Sequence, residues 1–197
     1  MGLWLDRSPV FARSPPLRLL CSMSLLDFGP FGAVRRNHAV EHATIHVLTR
    51  MAPDRSMAGR SSGRGFFIYG ALETDAIRMA VEEAIRRITD GEHYLAIHPN
   101  CGTNLVTTAV FAATATMVAG IGGRRRHLLD RIPSAFIGAL VGVFLGQVVG
   151  PVLQQSVTTS VELGNAHVVD VQRHEFGRRS WHWVAIEYKS VEQDPSS

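Results

Sequence analysis

Between Pro99 and Gly123, and again between Ile132 and Val161, the chain carries no Asp, Glu, Lys or Arg. Each stretch supplies the roughly 20 apolar residues needed to cross a hydrocarbon core as a helix. Between them lies a short basic connector, Gly-Gly-Arg-Arg-Arg-His-Leu-Leu-Asp-Arg. The pattern predicts a transmembrane helical hairpin, with spans at Leu105–Ile121 and Ile132–Leu153. A soluble protein would need far more surrounding chain than 197 residues to bury two such helices.

The second stretch places Gly138, Gly142, Gly146 and Gly150 at unbroken four-residue spacing. On a helix successive members drift by only about 40°, giving a smooth strip for close helix approach. The first stretch has its own small positions, Ala109, Ala113, Thr116 and Gly120. The strip is therefore expected to pack within the hairpin, or to pair with a partner helix or a second subunit. The bilayer is the expected main partner. The chain is arginine-rich, with Lys189 as its single lysine and a pI near 9.3. Its arginines are scattered without interleaved aromatics, so no nucleic-acid partner is expected.

Orientation is contested. Arg124, Arg125, Arg126 and Arg131 would stay cytoplasmic by the positive-inside rule, exporting both termini. Residues 1–22, however, are interrupted by Pro9, Pro15, Pro16, Arg13 and Arg18 and make a poor signal sequence. The expectation is an integral protein of the bacterial cell membrane with both termini on one side, the cytoplasmic side being favoured, where Cys101 stays reduced.

Chemistry is concentrated in Asn-His-Ala-Val-Glu-His-Ala-Thr-Ile-His, residues 37–46, which contains H-x-x-E-H: His38, Glu41, His42. On a helix His38 and His42 lie about 40° apart and can face one metal ion. Glu41 lies about 60° to the other side, placed to act on a water molecule. The order is that of inverted zinc hydrolases, in which two His bind zinc and the Glu is general base. His46 extends the stripe.

A second cluster follows in His-Pro-Asn-Cys-Gly-Thr-Asn, residues 98–104. His98 and Cys101 form an H-x-x-C pair in a segment that Pro99 and Gly102 force to turn. Imidazole and thiolate together suit zinc. The predicted site is thus metal ligands His38, His42, His98 and Cys101, with Glu41 catalytic and zinc the expected ion. The tight turn explains Cys101 equally well as a small buried hydrophobe.

The run R-N-H-A-x-E-H-A-T-I-H followed by H-P-N-C-G-T-N resembles a family of bacterial membrane proteins defined only as a domain of unknown function. The likeness covers most of residues 31–190. More distantly, the two motifs are similar to a family of predicted metal-dependent membrane enzymes, which pairs E-H-x-x-I-H with H-P-x-C-G-T. The resemblance implies a membrane protein with a metal site at His38, Glu41, His42, His98 and Cys101. It implies no reaction.

The remainder predicts a small α+β unit. A His-bearing helix is expected at 33–50, a Gly/Ser loop at 51–65 and a strand at Phe66–Gly70. An amphipathic helix follows at Asp75–Thr89, its apolar face formed by Ile77, Val81, Ala84, Ile85 and Ile88. A strand at His93–Ile97 would then complete a right-handed βαβ crossover. Ala166–Arg173 and Trp181–Lys189 alternate as strands of a hairpin that extends the same sheet. His93, His127, His167, His174 and His182 show no ligand spacing and are expected on the surface or in strands.

The domain organisation expected is a tail or mis-assigned start (1–22), an α+β unit with the metal site (23–104), the transmembrane hairpin (105–155), a β-hairpin completing the α+β unit (156–190) and a polar tail (191–197). Two functions fit. The first is a membrane-anchored zinc hydrolase. The second is a non-catalytic, metal-stabilised membrane module in which the same residues close the coordination sphere, or an interaction scaffold in which the His stripe only packs. No acidic third ligand of the inverted zinc-hydrolase kind can be assigned.

Overall fold

A computed structural model describes residues 29–120, 128–177 and 179–189. The expectations for residues 1–22, for most of the basic connector and for the C-terminal tail lie outside them. In chain order the elements are α1 (Gly29–Met51), β1 (Ala58–Ser62), β2 (Gly65–Tyr69), α2 (Thr74–Thr89), a 3-10 turn (His93–Ala96), α3 (Gly102–Gly120), α4 (Leu128–Leu153), a π-helical turn (Gln154–Thr158), β3 (Asn165–Phe176) and β4 (Arg179–Lys189).

The fold is α+β, with four long helices and one four-stranded sheet in the order β1-β2-β4-β3. Every pairing is antiparallel. Period-two alternation sets the two faces. Phe66 and Ile68 of β2 and Val184 and Ile186 of β4 point inward, where Val40, Ala43 and Leu48 of α1 and Ile77, Val81 and Ile88 of α2 cover them. Phe67, Tyr69, Trp181 and Trp183 take the other face, with the Phe67 and Trp183 ring centroids 4.6 Å apart. β1 and β2 are joined by the tight Gly63–Arg64 loop, and Gly65 follows at φ +148°. A side chain there would drive into the Val184 carbonyl.

Two expectations are corrected. The Gly/Ser segment 51–65 contains β1, an edge strand whose ladder closes on β2. Residues 93–97 are not a strand and there is no βαβ crossover: His93–Ala96 form a 3-10 turn after Gly91 at φ +100°. Carbonyls that a strand would have used in a ladder are taken by histidine rings of α1, Ala96 O by His42 and Ile97 O by His46. His182 is fully buried beneath α2, where its Nε2 lies 3.1 Å from the Thr74 hydroxyl. The C-terminal hairpin joins the sheet as expected, through β2 and β4.

α3 and the segment Arg131–Thr158 are each long and apolar enough to cross a membrane. They pack against each other through the glycine strip. A Cβ at Gly138 would lie 2.7 Å from the Ala115 carbonyl, and one at Gly150 2.6 Å from Asn104 Oδ1. Gly142 and Gly146 meet the α3 backbone at Phe111–Ala112 and at Thr108. The strip's neighbour in this structure is therefore α3. Their outward faces are hydrophobic and bare, as at Leu105, Met117, Phe136 and Phe144.

Candidate metal centre

α1 carries His38, His42 and His46 in a stripe directed at the carbonyls of Thr158, Ala96 and Ile97, and turns Glu41 towards β1. Cys101 lies immediately before α3, where its carbonyl accepts the first helical hydrogen bond from Leu105 N. At this capping position its sulfur accepts the Thr103 N–H at 3.4 Å, and the helix N-terminus favours negative charge.

Ligand atoms of His38, His42 and Cys101 all lie within 4.8 Å of one another. Cys101 Sγ is 3.4 Å from His38 Nε2. Tetrahedral zinc sets such atoms roughly 3.3–3.8 Å apart, given bonds of about 2.0–2.3 Å. His38 and Cys101 are already at that spacing, and the His42 ligand atom lies within 4.8 Å of both. The outer nitrogens are held as well. His38 Nδ1 lies 3.0 Å from the Thr158 carbonyl and His42 Nδ1 2.7 Å from the Ala96 carbonyl. Carbonyl acceptors require N–H at both Nδ1 atoms, leaving both Nε2 atoms free to ligate. Two imidazoles and one thiolate, each oriented by backbone, form a donor set that can hold a divalent metal ion.

Charge balance supports that fit. Burial alone would raise the Cys101 thiol, but hydrogen bonds from His38, His42 and Thr103 outweigh it and bring it down to about 5. Burial likewise works to lower His38, yet its contact with Cys101 holds it above the ordinary histidine value. The sulfur is thus a thiolate at neutral pH, the form that binds metal.

Glu41 is 4 % exposed and accepts a hydrogen bond from the Ser61 hydroxyl. Burial raises its pKa, and the Ser61 bond opposes the rise only in part. The carboxylate lies over Gly59, where any side chain would collide with it. It shares a cavity of about 600 Å³ with His38, His42, His98, Ser61 and Cys101.

His98 reaches the same cavity but stands outside the group of three. Its ring packs 5.8 Å from that of His42 and 5.0 Å from that of His46, and its Nδ1 accepts the Asn100 N–H at 3.2 Å. Burial, followed by the neighbouring His46 and His42, lowers it to about 4, so it stays neutral.

Of the supporting residues, Asn37 lies inside the first motif, whereas Gln154 and Arg35 lie in none. Fully buried Gln154 bonds both backbone groups of His98. Arg35 donates to the carbonyls of Ser156 and Thr159, fixing the π turn that presents the Thr158 carbonyl. Asn37 donates to Ser62 O at 2.8 Å and accepts from Tyr188 Oη at 2.6 Å, tying α1 to both hairpins. The one available signal was polarity: Gln154 closes an otherwise apolar run.

Comparison with known proteins adds a family. A family model described as a domain of unknown function (DUF6391) matches residues 33–171, which contain His38, Glu41, His42, His98 and Cys101. An uncharacterized protein of Picosynechococcus sp. is 30% identical over 175 residues, spanning 81% of this chain and 82% of that protein. No solved structure matches the chain.

Proposed function

The chain belongs to this family of unknown function, DUF6391, which brings no reaction with it, and we propose from the site itself a membrane-anchored, zinc-dependent hydrolase of ester or amide bonds. The observation that carries the reading is the convergence of His38, His42 and Cys101 with Glu41 on one cavity. Three ligands leave a fourth position for water or substrate, the arrangement of catalytic rather than structural zinc. His98 favours the open reading, since its Nδ1 is engaged by Asn100 and its ring lies against His46.

Zinc in such a set supplies Lewis acidity, acidifying water and polarising a carbonyl oxygen. Glu41, with its raised pKa, accepts a proton from the attacking water. The water oxygen bonds to the acyl carbon, the bond to the alcohol or amine breaks, and Glu41 returns the proton to the leaving group. His38 and His42 keep their Nδ1 protons on Thr158 and Ala96 throughout, so neither is needed as an acid.

Membrane anchoring rests on the hairpin. Only 6% of the apolar stretch of α3 and 17% of that in Arg131–Thr158 is buried, which supports a membrane rather than a soluble core as their surroundings. Bare apolar faces of this size are stable in hydrocarbon and not in water. The reading places the protein in the bacterial cell membrane with the α+β part on the cytoplasmic side, where Cys101 remains a thiolate.

Metal analysis of detergent-purified protein tests this directly. About one zinc per chain is expected, lost in His38→Ala and retained in Glu41→Gln. Glu41→Gln should lower hydrolysis of a panel of esters and amides by 100-fold or more, the scale of a general base. Zinc-free wild-type protein, or full activity in Glu41→Gln, would overturn the reading.

A further inference from the structure

A second cavity, of about 610 Å³, opens beside the metal centre and shares Asn100 and Cys101 with it. It runs away from the site between the two apolar helices, walled by Leu105 and Thr108 of α3 and by Gln147 and Pro151 of α4. Gly150 lies against Asn104 and Gly146 against Thr108, so the groove follows the first two turns of the hairpin. If these helices cross the membrane, the groove descends from the site into hydrocarbon, and what fills it there is acyl chain.

Gln147 makes the groove more than a surface crease. Its side chain is exposed and makes no hydrogen bond among the described residues. In water that would be ordinary. At this depth an unpaired amide is costly, because the surroundings offer no donor or acceptor. It sits one helical turn from Pro151 on the groove wall, and a polar group entering with a ligand would satisfy it. Asn104 adds a second open polar atom to the groove wall: its amide nitrogen donates to the Pro99 carbonyl at 3.0 Å, while its buried Oδ1 has no partner among the described residues.

We propose that this groove holds the acyl chain of a membrane lipid, with Gln147 bonded to a carbonyl or hydroxyl of its polar linkage, and presents the lipid's ester or amide bond to the centre at Cys101. The inference rests on the hydrolase reading and narrows its substrate to lipids of the bilayer itself. Leu105, 74% exposed at the groove's edge, borders the path by which a lipid enters from the side.

The test uses the full chain in phosphatidylcholine vesicles doped with a lipid bearing a photoactivatable diazirine on its acyl chain. Crosslinks should concentrate on Leu105, Thr108 and Pro151. They should fall about tenfold in Gln147→Leu, the effect of one lost buried hydrogen bond, and return in Gln147→Asn. Labelling at Phe136 and Ile137, far from the site, should not change in either variant. Groove labelling untouched by Gln147→Leu would mean ordinary boundary lipid and overturn the proposal, as would labelling spread evenly along the hairpin. Gln147-dependent labelling without any hydrolysis sinks the hydrolase reading and leaves the lipid site standing. Hydrolysis of a water-soluble ester without groove labelling does the reverse.

Discussion

Gln154 and His98, 56 positions apart, are joined as two strands would be: His98 N–H donates to Gln154 Oε1 at 3.0 Å and Gln154 Nε2 donates back to the His98 carbonyl at 3.1 Å. One buried amide thereby locks the Cys101 turn to the end of α4, next to the π turn whose Thr158 carbonyl orients His38. The pair of apolar helices and the His38, His42, Cys101 cluster are mechanically coupled at this point.

Gln154→Leu keeps the volume and removes both bonds. It leaves the His98 N–H unpaired, at a cost of about 1–3 kcal/mol, while the His98 carbonyl keeps the Cys101 N–H at 3.2 Å. Zinc affinity should fall 10- to 100-fold, the usual consequence of losing an outer-shell support, although no ligand has changed. Competition with a chromophoric chelator reads the affinity. Unaltered affinity would show that the turn holds Cys101 without help from α4.

Ser61 gives a pH prediction. Its hydroxyl stabilises ionised Glu41 against the burial that raises the pKa. Ser61→Ala removes the opposing influence, so the pKa rises further. A general base must be deprotonated, and the acidic limb of the kcat/KM profile should therefore move to higher pH. The rate on the alkaline plateau should be nearly unchanged. A limb that stays in place would exclude Glu41 as the titrating base.

Linkage gives the same carboxylate a signature in stability. The folded pKa of Glu41 lies above its unfolded value, so the fold favours the protonated form. That contribution is fully present below the unfolded pKa, about 4.3, and is lost as pH rises through the folded pKa. Metal-free Glu41→Gln, permanently neutral, should melt above the wild type at pH 8, with the gap closing near pH 4. Thermal melts at both values decide the matter.

The parts of this protein legible in the sequence are those fixed by a repeating pattern or an unbroken run. The glycine spacing and the Ile77–Ile88 stripe follow from a period and the two spans from the length of charge-free sequence, and all became helices where expected. The His38, Glu41, His42 spacing was readable because a helix converts sequence spacing into angle. His93–Ile97 failed because a short apolar run has no period of its own, and its carbonyls were claimed by His42 and His46 from another element. β1 was hidden for a similar reason: Ala-Gly-Arg-Ser-Ser shows no alternation, and its pairing with β2 makes it a strand. His98 looked like Cys101's equal in the motif; both meet α1, but tertiary packing sets the His98 ring against His42 and His46 and brings the Cys101 sulfur to His38. Gln154 and Arg35 act through backbone groups far along the chain, and no local spacing encodes that.

Close packing of the hairpin predicts an asymmetric mutational response. Gly142→Leu forces a side chain into the α3 backbone at Phe111–Ala112, whereas Leu140→Ala trims a chain that is 54% exposed. The first should separate α3 from α4 and loosen the Cys101 turn, visible as increased thiol alkylation in detergent. The second should leave alkylation at the wild-type level. Equal behaviour would mean that the glycine strip is not the contact that holds the helices together.

The sheet itself dictates the topology. β2 pairs with β4 from Gly65–Ala185 to Tyr69–Trp181, and the two long helices lie between them in the chain. Backbone hydrogen bonds cannot be made across a bilayer, so residues 65–69 and 181–185 must share one side whatever the charge of the connector. Two spans satisfy this, and one or three do not. Reporter fusions at positions 60 and 190 should therefore respond alike, and a fusion at 127 oppositely. If instead all three report the same side, α3 and α4 lie along the surface rather than across the membrane, and the groove beside Cys101 would face headgroups. Should 60 and 190 disagree, the β2–β4 ladder cannot exist in the membrane-bound protein, and the tie from Asn37 to Tyr188 beside the metal centre goes with it.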